Sequence, residues 1–170
     1  MTKQENYDLA LLQLDALIGD GSGNALSNLS NAAALLSGSL PEQVFAGFYL
    51  YDGEKLVLGP FQGGVSCVNI ALGKGVCGES AEKRETLVVG DVRTHKNYIA
   101  CDSAARSEIV VPLVKDGDLL GVLDLDANTT DFYGPSEQDF LEKFVAVLID
   151  KTDWRFAQFD QHISENEAEK

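Results

Sequence analysis

Cationic side chains are scarce in this chain of 170 residues: 13 lysines and arginines stand against 27 aspartates and glutamates, for a net charge of −14. A surplus of that size repels phosphate backbones and anionic lipid, which excludes nucleic acid and membrane surfaces as partners. Long apolar runs are also missing, and none approaches the roughly 18 residues of a spanning helix. The opening "MTKQENYDLALLQLDALIGD" sets acidic residues inside its apolar pattern, which excludes a secretory signal peptide. Cysteine is limited to Cys67, Cys77 and Cys101, an odd count without a secretory signal, so no structural disulfide framework is expected. Their spacings of 10 and 24 match no zinc pattern, and neither His95 nor His162 falls in a ligand pair, so no metal is expected. These exclusions point to a soluble cytoplasmic protein whose thiols are either inert core groups or redox groups.

What is present suits one domain. Apolar content is 45%, and a chain of this length buries roughly 70% of its unfolded surface. Tyr7, Leu11, Leu14 and Ile18 recur on one helical face, "GDGSGN" interrupts, and Leu26, Leu29, Ala33 and Leu36 mark a second helix that "SGSLP" closes. The middle is strand-like. "VFAGFYLY" leads through "DGEK" into "LVLGP", and "VSCVNIAL" is a third strand with Cys67 in its middle. "GKGVCGESAEKRE" is a glycine-rich turn opening a short helix with Cys77 at its start. "TLVVGD" is a brief strand, and "VRTHKNYIACDSAAR" is a long connection holding a helical turn. "SEIVVPLV" and "LLGVLDLDA" flank "KDGD" as a hairpin. Pro135, with Ser136 and Asp139 as a capping-box-like pair, starts a last helix lined by Phe140, Phe144 and Leu148.

The expected architecture is therefore α+β, a single domain over residues 1–160 with a central antiparallel sheet and helices from both ends of the chain packed against it. Residues 1–40 supply the N-terminal helices, 44–126 the sheet and site loops, and 135–158 the C-terminal helix. Residues 161–170 form an acidic polar tail.

Two residue sets carry chemistry. Asp124 and Asp126 are two apart on a strand and share a face with Leu120 and Val122. Either that face emerges into water, or it rims a pocket built for a cation, since buried carboxylates are costly unpaired and no Lys or Arg lies on the strand. A simple two-residue turn at Asp116-Gly117 turns Glu108 to the opposite side. An odd register, such as a bulged three-residue turn gives, brings Glu108 to the aspartates. The second set is the thiols. If "DSAAR" forms a helical turn, Cys101 meets free N–H groups that favour its thiolate, with Arg106 helping and Asp102 opposing. Cys77 also opens a helix, so position alone leaves the two comparable, while Cys67 looks like core.

"GFYL", "GKGVCG", "IACDSAARSEIVVP" and "GVLDLD", with the three cysteines at matching spacing, make the chain resemble the free methionine-(R)-sulfoxide reductases, stand-alone GAF-domain enzymes. One departure is Phe45, where the family typically has Trp. The resemblance implies a GAF-type fold and reduction of free L-methionine (R)-S-oxide by a thiolate. That thiolate is usually taken to be the equivalent of Cys101, with Cys67 and Cys77 as resolving candidates and Cys77 still open as attacker. It also implies an acidic pocket of Glu108, Asp124 and Asp126; clustered like charges raise one pKa in such a set, so Asp126 or Glu108 is the expected proton donor and the remainder hold the substrate ammonium. Phe45 and Tyr49 share a strand face and would wall the methyl-sulfinyl end. No bound cofactor is implied. Electrons come from an external dithiol of thioredoxin type, the substrate is free methionine sulfoxide, and homodimerisation is left open. The competing class is a non-catalytic GAF sensor that binds a small ligand and would keep all three thiols.

Overall fold

The computed structural model describes residues 1–19, 23–101 and 103–155. Helix α1 (Lys3–Ile18) starts where Thr2 accepts from the Glu5 N–H while Glu5 reaches back to the Thr2 N–H, a reciprocal cap. Helix α2 (Ala25–Ser39) is capped by Asn24. Six strands follow, β1 (Gln43–Tyr51), β2 (Lys55–Gly63), β3 (Asn69–Ala71), β4 (Leu87–Val89), β5 (Ser107–Lys115) and β6 (Asp118–Ala127). Helix α3 (Gly75–Lys83) lies between β3 and β4, and α4 (Pro135–Lys151) follows β6. The strands form one sheet in the order β3-β2-β1-β6-β5-β4, every neighbouring pair antiparallel. Among the described residues, no helix is long and apolar enough to cross a membrane.

Strand alternation gives the sheet two unlike faces. Ala46, Phe48, Ile109, Val111, Leu113, Leu123 and Leu125 point to α1, α2 and α4 and make the larger core. Each fully buried leucine there contributes about 2 kcal/mol. Phe45, Tyr49, Val110 and Val122 point the other way, into a smaller core closed by Val76, Cys77 and Ala81 of α3. The terminal helices are joined by the buried Tyr7 hydroxyl, which donates to Glu137 on α4 at 2.5 Å.

The expected α+β architecture is what the chain adopts, and several local expectations are corrected. Leu26 is exposed, because the buried stripe of α2 runs through Ala25, Leu29, Ala32, Ala33 and Leu36. Strand β3 is three residues long, and Cys67 lies in the preceding loop rather than mid-strand, since pairing with β2 stops at Asn69. Residues 103–106 form no helix: the Arg106 N–H donates to the Ala127 carbonyl and its own carbonyl accepts from Val92, which draws the segment out. Asp102 lies outside the described residues. The cap of α4 is Gly134 with Glu137, whose carboxylate accepts from the Gly134 N–H at 2.8 Å, in place of Ser136 with Asp139. That helix stops at Lys151, where Thr152 turns extended. Residues 156–170, with the end of the expected helix and the acidic tail, lie outside the described residues.

The decisive detail is in the β5–β6 hairpin. Its turn has two residues, Asp116 and Gly117, both at positive φ as the tight hairpin turn demands. Near the turn Lys115 faces Asp118 and Val114 faces Leu119, but Leu113 then faces Gly121. Leu120 is an extra residue, a bulge one step beyond the turn. Every pair beyond it is displaced by one, so Glu108 faces Asp126 and Val110 faces Asp124. The odd register thus arises from a bulge after an even turn. It also corrects the face of Leu120, which packs with the larger core while Val122 joins the smaller one. Gly121 makes the bulge possible. Its φ is 155°, and a Cβ there would stand 2.1 Å from the Tyr49 carbonyl oxygen.

Candidate active site

A narrow cleft opens on the α3 side of the sheet, lined by Glu108, Asp124, Asp126 and Tyr49 from the strands, Cys77 from α3, and Cys101 with Tyr98 and Ile99 from the loop before β5. Three kinds of local structure converge on it. The bulge at Leu120 aligns the carboxylates. Gly78 lets α3 lie against the strand before it, since a Cβ there would stand 2.3 Å from the Ala71 carbonyl oxygen. The loop that carries Cys101 is held to α3 by Asn97, which donates to the Gly73 carbonyl at 2.7 Å and to Glu79 at 2.8 Å. His95 adds a contact to the same Glu79 carboxylate at 3.1 Å.

The thiols are not equivalent. Cys67 and Cys101 are joined in a disulfide, Cα to Cα 5.1 Å, which closes the loop before β3 onto the loop before β5. Cys77 is a free, buried thiol. Its Sγ lies 3.9 Å from a Glu108 oxygen, and one atom from each of Cys77, Glu108 and Asp124 lies within 4.8 Å of the other two. Burial first, then the neighbouring carboxyl groups of Asp124 and Glu108, push the Cys77 thiol well above its ordinary range. A helix N-terminus favours a thiolate, but here desolvation and three acidic neighbours outweigh it.

The carboxyls respond in the same way. Burial pushes Asp124 up to about 7, and it pushes Glu108 well above the ordinary carboxylate range, with the charges of Asp124 and Asp126 adding to the effect. Asp124 Oδ1 is buried without a hydrogen-bond partner. Such an acceptor calls for a cation or a donor that enters the cleft. Tyr49 closes the floor, its hydroxyl 2.8 Å from Ser66 Oγ on the loop that carries Cys67.

Of the residues named from the sequence, Cys77, Cys101, Glu108, Asp124, Asp126 and Tyr49 converge on this cleft. Cys67 reaches it through its bond to Cys101. Phe45 does not line it. It packs behind, its ring 5.4 Å from Phe61 and 6.4 Å from Tyr49. Sequence reasoning missed Lys74, Tyr98 and Ile99 as lining residues, and it missed the Glu79–His95–Asn97 clasp. Only the aromatic and aliphatic pair beside "ACD" offered any signal for them.

A family model described as GAF domain matches residues 29–148, and the six-stranded sheet with its cleft is a GAF-domain architecture. The free methionine-R-sulfoxide reductase of Saccharomyces cerevisiae is 42% identical over 160 residues, covering 89% of this chain and 88% of the yeast protein. The Escherichia coli protein of the same name is 39% identical over 148 residues, covering 87% and 89%. An X-ray structure of free methionine-R-sulfoxide reductase from Neisseria meningitidis in complex with its substrate superposes with a TM-score of 0.82 at 39% identity, covering 85% of this chain and 87% of that one. The chain belongs to the free methionine-R-sulfoxide reductase family, GAF-domain oxidoreductases that act on sulfur.

Proposed function

We propose that the protein reduces free L-methionine (R)-S-oxide to L-methionine through Cys101, with Cys67 as resolving thiol. One observation carries the reading: the Cys67–Cys101 disulfide stands in the wall of the cleft that holds Glu108, Asp124 and Asp126. In the reduced protein the Cys101 thiolate attacks the sulfoxide sulfur, the oxygen takes a proton, the sulfur–oxygen bond to substrate is lost, and methionine leaves behind a Cys101 sulfenic acid. Cys67 condenses with it, releasing water and forming the disulfide. An external dithiol of thioredoxin type restores both thiols, so the chain needs no bound cofactor. Cys77 is disfavoured as attacker because its surroundings keep it protonated.

The carboxyl groups serve the substrate at two points. The substrate ammonium supplies the cation that Asp124 Oδ1 lacks. The same set supplies the proton: burial and the charges of Asp124 and Asp126 raise the Glu108 carboxyl well above the ordinary range, which suits it as donor, and Asp126, its partner across the ladder, is the second donor. A peptide-bound methionine sulfoxide has no ammonium and would leave buried carboxylates unpaired, which disfavours it without a steric gate. Lys74, cationic among the lining residues, suits the substrate carboxylate.

The test is turnover of each methionine sulfoxide epimer, free and N-acetylated, with dithiothreitol as reductant, together with thiol counting after one addition of substrate. The reading expects turnover of the free R epimer and loss of two thiols per chain. Retention of all three thiols with tight ligand binding would make the domain a sensor instead.

A further inference from the structure

We propose that the surface around Cys67 is the docking face for a protein dithiol whose reactive thiols sit in an apolar patch edged by acidic groups. The inference rests on the reductase reading, since it concerns how the Cys67–Cys101 bond is reopened. Both cysteines are half-buried, so the bond can be approached from outside. Its approach is apolar: Val65 is 88% exposed, Val68 63% and Ile99 41%, three of the nine large hydrophobics exposed among the described residues. Two flank Cys67 in sequence and the third is two residues from Cys101. Exposed valines are costly ornaments on a free surface and useful ones on an interface.

The charge pattern fixes the kind of partner. In a chain of net charge −14, residues 55–78 and 92–101 contain no Asp or Glu, and they carry Lys74, Arg93 and Lys96 besides Lys55, which is paired with Asp52 at 3.1 Å. The disulfide joins these two segments. The net charge disfavours an acidic protein over the chain as a whole, and the window of these two segments, free of Asp and Glu, disfavours it least, so a partner with acidic groups around an apolar thiol site is steered to the place where reduction must occur.

The chemistry is a thiol–disulfide exchange. A thiolate of the partner attacks Cys67 Sγ, because Cys101 lines the cleft and Cys67 does not. The bond to Cys101 breaks and Cys101 leaves as a thiolate inside its own site. The partner's second thiol then displaces Cys67, so the partner is oxidised by two electrons and both cysteines are regenerated, one as thiol and one poised for attack.

The experiment compares turnover driven by dithiothreitol with turnover driven by thioredoxin, its reductase and NADPH, using Val65→Asp, Val68→Asp and Lys96→Glu. Leu12→Asp, on exposed α1, is the control. With dithiothreitol all four are expected to stay within about twofold of the parent. With thioredoxin the three window variants are expected to raise the KM for thioredoxin at least about fivefold, and Leu12→Asp is not. A thioredoxin lacking its second cysteine is expected to be trapped on Cys67. Equal slowing with both reductants, no change with thioredoxin, or trapping on Cys101 would overturn the proposal. Absence of turnover by the parent with dithiothreitol would instead overturn the reductase reading beneath it.

Discussion

Replacing Asp124 with asparagine is expected to stabilise the unliganded protein at alkaline pH while removing substrate binding. Asp124 is buried, and its pKa rises from an ordinary 3.8 to about 7. At 1.36 kcal/mol for each pH decade, ionising this carboxyl in the folded state costs about 4 kcal/mol relative to the unfolded chain. The sign follows from the direction: a carboxyl raised by folding contributes stability that is complete below about pH 4 and is lost as pH rises through about 7. The amide introduced by Asp124→Asn would imitate the protonated acid at every pH. The variant and the parent should therefore have similar urea midpoints at about pH 4, and the variant should lead by up to about 4 kcal/mol at about pH 8. Taking the difference cancels the general repulsion of the −14 chain and the acids on its surface. Added free methionine sulfoxide should stabilise the parent at the higher pH and leave the variant unmoved. A variant less stable than the parent there, or a gap that does not widen from the lower pH to the higher, would refute the reasoning and make Asp124 a structural residue.

Cys101→Ser is expected to abolish sulfoxide-dependent thiol loss with an unchanged circular dichroism spectrum. Retained thiol loss would move the attack to Cys77. Cys77→Ala should keep at least about a tenth of dithiothreitol-driven turnover, measured by methionine release, because its thiol stays protonated beside Glu108 and Asp124. Gly121→Ala should destabilise the fold by about 2 kcal/mol or more in urea titration, the usual scale for strain at a special backbone position. Activity should fall further than stability, because the added Cβ meets the Tyr49 carbonyl and the bulge must rearrange.

The fold was legible wherever a pattern is local. Apolar spacing located both N-terminal helices, and "KDGD" located the hairpin whose turn has two residues. The site was legible as a set of residue types, because three acids near apolar positions and three thiols have few uses together. Sequence did not carry the non-local facts. The hairpin register depends on a bulge at Leu120, which no turn signal announces. Cys67 reads as a strand residue because Val65, Val68 and Ile70 are β-formers, yet both of those valines face solvent around a disulfide. Phe45 shares its strand face with Tyr49 as alternation requires, but Phe61 and Tyr49 shield it from the cleft. The cap of α4 shifted by two residues because glycine at 134 can donate its N–H to Glu137 as readily as serine would.

The clasp made by Asn97 has a bearing on repeated cycling. In the proposed cycle Cys101 alternates between bonded and unbonded states, and a sulfur so released risks drifting away once its tether opens. Asn97 is anchored to the Gly73 carbonyl and to Glu79 by bonds that do not involve the disulfide, and four peptide links separate it from Cys101. Fully stretched, that leash spans about 14 Å, which bounds how far Cys101 can travel from α3 once its bond to Cys67 is open.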